Sequence, residues 1–195
     1  MYEGQEIVIL DSKNLTKSII KVNKEDIRPY LLKEQINEVL RTMPAGKYKM
    51  IIQTLWMTGI RVTELINIKK GDIDFLNSRI TIKWLKSRRW NHRIIPIRVE
   101  LKDLLQFYTA AITNEDKVFP FSRQWVYEIT KKYLESNPHV LRHSFAVNFL
   151  EQCKSGKSLI ILKELLGHRH IQTTMEYLRI VPNDLAYELD KIQFN

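Results

Sequence analysis

Apolar residues recur at helical spacing along most of this chain, and the spacing changes to strict alternation only once, between residues 73 and 97. A helix buries a stripe every three to four residues and a strand every second residue, so the change marks one small sheet inside a helical body. Residues 31–43 place Leu32, Ile36, Val39, Leu40 and Met43 on one helical face. Residues 47–57 follow with Met50, Ile51, Leu55 and Trp56, and Gly59 is the expected left-handed stop. A third helix is expected from about Arg61, with Val62, Leu65 and Ile66 on one side. Then Ile73 and Phe75 predict a short strand, Asn77-Ser78 a turn, and Ile80 and Ile82 a longer strand. Ile95 and Ile97 line the return strand, and Pro96 places it at an edge. The remainder reads as helices over about 99–111, 122–135, 140–153, 158–166, 171–179 and 183–192, with Pro138 before the helix start at 140. The fold class is mainly α with a small antiparallel β-sheet (α+β).

A polar stretch over residues 11–26 separates Ile7-Val8-Ile9-Leu10 from this body. The organisation expected is an N-terminal arm or linker over 1–26, a main domain over 27–182 and a helical tail over 183–195. The chain of 195 residues is long enough to bury one core without covalent staples. No internal repeat or low-complexity tract interrupts it. Cys153 is the only cysteine, which excludes a disulfide framework and a thiolate zinc cluster. No apolar run approaches the length of a membrane span and no signal segment opens the chain, so a cytoplasmic location is expected. The formal charge of +9 points to a polyanionic partner, most economically nucleic acid, although basic charge alone also serves solubility.

Three segments carry the chemistry: Thr58-Gly59-Ile60-Arg61-Val62-Thr63-Glu64-Leu65, His139-Val140-Leu141-Arg142-His143, and residues 166–177 from Leu166-Gly167-His168 to Tyr177. Arg61 and Glu64 stand three residues apart on one helix face, as do His139 and Arg142. An arginine offers a phosphate two parallel N–H donors and keeps its charge at any working pH. Two of them can hold both non-bridging oxygens and stabilise the added charge of a pentavalent transition state. A tyrosine nucleophile is ionised at roughly one part in a thousand at neutral pH, so it needs a proton acceptor. His168 and His139 titrate in the right range. The leaving 5′ oxygen needs a proton in turn, and a lysine supplies one far more readily than an arginine. No paired carboxylates suited to a two-metal site stand out, and His168-Arg169-His170 without further ligands is a weak metal motif. Neither a metal nor a cofactor is expected.

These segments together resemble the tyrosine recombinase (phage integrase) family, over roughly residues 27–190. The resemblance implies the catalytic-domain fold of that family and double-stranded DNA as partner. It implies Arg61 as first catalytic arginine with Glu64 supporting it, His139 and Arg142 in the active site, and His143 as a buried support. His168 would be a further catalytic residue and Tyr177 the nucleophile, giving a 3′-phosphotyrosyl link without ATP. Tyr187 belongs to the later tail.

The lysine departs from the family pattern. A compact basic turn is usual there, and Arg93-Ile94-Ile95-Pro96 matches its end. Here the turn is longer and Arg88 stands near the position of the lysine, so Lys86 is preferred and Lys83 is the alternative. Lys83, Arg88, Arg89, Trp90 and Arg93 are expected to contact DNA from this tip, which is read as spanning residues 86–93. A second departure concerns the separate helical DNA-clamping domain that most relatives carry before the catalytic one: 26 residues are too few to build it, so either that domain lies outside this sequence or the chain belongs with short recombinases such as the fimbrial invertases. The tail of such proteins commonly docks on a neighbouring protomer, which implies a homo-tetramer on DNA. Two other readings fit the residues: relaxation of supercoils in the manner of a type IB topoisomerase, and a non-catalytic DNA-binding regulator on the same fold.

Overall fold

The computed structural model describes residues 30–86, 89–153 and 155–179. The arm over 1–26 and the tail over 183–195, with its expected helix, lie outside them. The body is helical: α1 (Lys33–Thr42), α2 (Lys47–Thr58) and the single turn α3 (Val62–Leu65) precede the sheet. After it come α4 (Val99–Tyr108), α5 (Arg123–Leu134), α6 (His139–Gln152), α7 (Ser158–Leu166) and α8 (Gln172–Met175), which runs into a 3-10 turn, Glu176–Arg179.

The sheet has three antiparallel strands in chain order, β1 (Ile73–Asp74), β2 (Arg79–Lys86) and β3 (Arg89–Pro96). Its register pairs Ile73 with Ile80, Ile80 with Ile95, and Ile82 with Arg93. Alternation then turns Ile73, Ile80, Ile82 and Ile95 toward the core, where all four are buried. Pro96 ends β3 at the sheet edge, where a missing N–H costs no ladder bond.

α2 is the central helix. Met50, Ile51, Ile52, Leu55 and Trp56 are all buried, so α2 is apolar around much of its circumference and is enclosed by α4, α5 and α6. Ser122 caps α5 by accepting from the amide of Trp125 at 3.0 Å. A second cluster joins Ala146, Val147 and Leu150 of α6 to Leu162 and Leu166 of α7 and to Tyr177. That cluster fixes the C-terminal segments against α6. No helix among the described residues is long and apolar enough to cross a membrane.

Two expectations change. The helix expected from about Arg61 is only one turn, and a 3-10 turn, Lys70–Asp72, leads on into β1. The basic tip is also smaller than read: the ladder continues to the pair Lys86 and Arg89. Most of residues 86–93 is paired strand, and a run with Trp90 as its one apolar residue offers no apolar alternation to read.

Candidate active site

The arrangement begins with two helix ends. Gly59 closes α2 in the left-handed conformation, with φ 64° and its amide bonded to the Leu55 carbonyl. A side-chain carbon there would lie 2.4 Å from the Phe145 ring, so only glycine fits. Gly167 closes α7 in the same way, with φ 66°. The last carbonyls of a helix have no partner inside it, and they sit at the negative end of its dipole. Here they meet Arg142: Nη1 donates to the Gly59 carbonyl at 2.7 Å and Nη2 to the Leu166 carbonyl at 2.8 Å. Both glycines of the sequence segments therefore serve to aim one buried arginine.

Arg142 is only 2% exposed. Its pKa is pushed down to about 10, by burial first and then by the positive charge of Arg61, against the opposing charges of Glu64 and Tyr177. It remains protonated at neutral pH, as a cation with little solvent to stabilise it.

Arg61 immediately precedes α3 and is partly exposed. Its amide donates to Glu64 Oε2 at 2.8 Å, and its Nη1 lies 3.3 Å from Glu64 Oε1 and 3.5 Å from the Leu166 carbonyl. One carbonyl thus touches both arginines. Glu64 is buried beside them. Burial raises its pKa, but hydrogen bonds from Arg93, the charge of Arg93 and the Arg61 amide outweigh it, and the net shift is downward.

Tyr177 is 2% exposed, with its hydroxyl 2.9 Å from Nδ1 of His143. His143 is therefore buried against the expected nucleophile itself. His168 lies parallel to the Tyr177 ring at 6.5 Å, and its Nδ1 is 2.9 Å from Thr174 Oγ1. His139 meets His143 edge-on at 4.9 Å. It also lines an open pocket of about 600 Å³ with Arg61, Thr63, Arg123, Gln124 and Tyr127. This brings Arg61, Glu64, His139, Arg142, His143, His168 and Tyr177 into one connected region, from segments more than 100 residues apart. Among the described residues no cluster of three or more His, Cys, Asp or Glu is placed to hold a metal ion.

The hairpin divides the basic residues expected there. The exposed ammonium of Lys83 pairs with the buried carboxylate of Asp72, across from His92. The backbone of Lys86 lies opposite Arg89, on the same alternation as Ile82 and Trp84 and opposite to that of Lys83. Arg88 lies outside the described residues, and Arg89 and Trp90 are described only in their backbone.

Arg93 was expected at the DNA and is instead turned inward. Its two terminal nitrogens bond both Glu64 oxygens at 2.8 Å, and its Nε donates to the Leu165 carbonyl at 3.1 Å. The register explains this, because Arg93 shares the core-facing side of β3 with Ile95.

Arg123, Gln124 and Tyr127 are candidate residues that the sequence reading missed. The helix containing them was legible, but nothing in its spacing showed that its first turn faces Arg61.

Comparisons with known proteins extend this picture. A profile of the phage integrase family matches residues 29–183. The tyrosine recombinase XerA of Saccharolobus solfataricus is 34% identical over 175 residues, covering 87% of this chain and 58% of that protein. XerA of Thermococcus onnurineus is 29% identical over 178 residues, covering 83% and 61%. The chain thus spans about three fifths of the length of these curated relatives. Among solved structures, the XerA recombinase crystal structure matches with a TM-score of 0.69 at 22% identity, covering 89% of this chain and 67% of that one. The catalytic domain of bacteriophage HP1 integrase matches with a TM-score of 0.64 at 22% identity, covering 83% and 94%. On the profile match, the identity to XerA and the fold, this chain belongs to the phage integrase family.

Proposed function

We propose that this protein is a site-specific DNA recombinase that cuts and rejoins strands through a 3′-phosphotyrosyl intermediate. The observation that carries the reading is the meeting of Arg142 and Arg61 at the Leu166 carbonyl, with Tyr177 in the cluster that holds Leu166 and His143 on the tyrosine hydroxyl. Arg61 and Arg142 bind the non-bridging oxygens of the scissile phosphate and stabilise its added charge. The Tyr177 oxygen forms the new bond to phosphorus as the bond to the 5′ oxygen breaks. The hydroxyl proton passes to an imidazole, with His143 as the residue already in contact and His139 and His168 beside it. Lys86 returns a proton to the leaving oxygen; Lys83 is the weaker candidate because Asp72 holds its ammonium and it alternates to the other side of β2. Attack by a 5′ hydroxyl from a partner strand reverses the chemistry and needs neither ATP nor metal.

Tyr177 is buried, so it must turn away from His143 to reach a phosphate. DNA binding supplies the energy, and the pocket bearing Arg123, Gln124 and Tyr127 widens the phosphate-contacting surface. Double-stranded DNA is the partner, assisted by Arg88, Arg89 and Trp90 at the hairpin.

Assembly as a homo-tetramer on DNA belongs to the same proposal. A groove of about 910 Å³ between α1, α2, α6 and β3 includes Trp56, Met57, Phe145, Phe149 and Leu165. The tail carries Leu185, Leu189 and Ile192 at helical spacing, an apolar stripe suited to such a groove on a neighbouring protomer.

Covalent trapping tests the chemistry. Wild type and Tyr177→Phe are incubated with nicked DNA fragments and resolved in SDS. The expected result is a protein–DNA adduct from the wild type alone, with DNA affinity alike in both. Adducts of equal yield from both would rule out Tyr177 as nucleophile. Absence of any adduct, together with unimpaired binding, would favour a regulator, and relaxation without strand exchange would favour topoisomerase chemistry.

A further inference from the structure

We propose that Arg93 is a positioning residue that sets the geometry of both phosphate-binding arginines; this rests on the recombinase reading given above. Its side chain is 10% exposed and is held on several sides. The guanidinium closes a two-pronged pair with Glu64, whose carboxylate in turn accepts from the Arg61 amide. Its Nε fastens the Leu165 carbonyl at the end of α7. The neighbouring Leu166 carbonyl is the one that holds Arg142 and approaches Arg61. Gly167 lies flat on the same guanidinium, since a side-chain carbon there would stand 2.8 Å from Arg93 Nη1. The Trp84 ring covers it at 5.5 Å.

The consequence is mechanical. Glu64 and the 165–167 turn come from segments about a hundred residues apart, and Arg93 bonds to both. A flexible ammonium cannot reproduce two parallel N–H bonds and a third at Nε, so lysine is a poor substitute. The same residue stands on β3 across from Ile82, in the hairpin that carries Lys86. Arg93 therefore ties the hairpin to the arginine pair, and the donors that would have faced DNA are committed inside.

The test compares Arg93→Lys and Arg93→Gln with the wild type on the duplex recovered from trapping. Cleavage should slow by about 10- to 100-fold, the scale on which residues that orient a reacting group act. DNA affinity and its salt dependence should be unchanged. A duplex with methylphosphonate at the cut position lacks the negative charge that the arginines meet, so the variants should lose much less on it. Equal losses on both duplexes would mean general damage, and a drop in affinity with a shallower salt slope would mean direct DNA contact; either overturns the proposal.

Orthovanadate reads the arginine pair without DNA. It should raise the melting temperature of the wild type and raise that of both variants much less. If Arg93→Gln does not fold, Arg93→Lys is read in its place, and Glu64→Gln must reproduce its effect. A wild type that forms no adduct defeats the recombinase reading and leaves this second measurement to decide: lost vanadate stabilisation in the variants upholds the role of Arg93, and an equal rise overturns it.

Discussion

Glu64 shows how one buried carboxylate can order the arginines around it. It is a buried carboxylate flanked by two guanidinium groups, and its charge is retained because Arg93 meets both oxygens. Its pKa is lowered in the fold despite the opposing effect of burial. Between the folded and unfolded values the unfolded chain binds more protons, so stability rises with pH there. The contribution is complete above the ordinary carboxylate range and is lost as pH falls through the lowered value. Thermal melts from neutral to acid pH should therefore show a decline that Glu64→Gln lacks, with the variant already less stable at neutral pH. Parallel curves for the two proteins would show that the pair carries no such linkage. Arg93 itself was misread from sequence because a basic residue near a basic turn looks solvated, and only the register reveals that it faces inward.

Elements place these residues through their ends more than their lengths. α2 and α7 each stop at a left-handed glycine, and each leaves a carbonyl to Arg142. Gly59→Ala brings a carbon within 2.4 Å of the Phe145 ring and requires a positive φ of alanine. We expect a loss of at least about 2 kcal/mol from steric overlap and backbone strain combined. Urea denaturation measures it, and a midpoint close to that of the wild type would contradict the close approach. Replacing Phe145 with leucine in the same chain should recover part of the loss. The helix periods were plain in the sequence, and the span 158–166 matches α7. The hairpin was less legible, since its outer rungs mix polar and apolar residues, with Lys83 opposite His92, Trp84 opposite Asn91 and Leu85 opposite Trp90, and give no regular apolar alternation to read.

At the scale of the molecule, charge and the C-terminal tail are the proposed determinants of association. With a formal charge of +9 on a small domain, the expected DNA affinity falls steeply with salt, because each released counterion gains less entropy as the bulk concentration rises. A plot of log affinity against log salt should slope downward by several units, and a flat line would remove the phosphate contacts proposed for the pocket and hairpin. Truncation after Val181 is expected to reduce oligomers on DNA while leaving the affinity of single protomers nearly intact. Sedimentation on DNA distinguishes these, and unchanged assembly would exclude the tail as the link between protomers.

The local pattern of the chain determined its helical body, the single change to strand alternation, and the three segments from which the site is built. Those features depend on residues close in sequence, where spacing maps directly onto one face of a helix or strand. Tertiary structure alone decided that His143 holds the Tyr177 hydroxyl, that Arg93 faces Glu64, and that the first turn of α5 borders Arg61. Each is a contact across more than 25 residues, set by how helices pack and by the register of one hairpin. Spacing within a segment carries no information about such contacts, because packing against a distant surface selects which side chain turns inward.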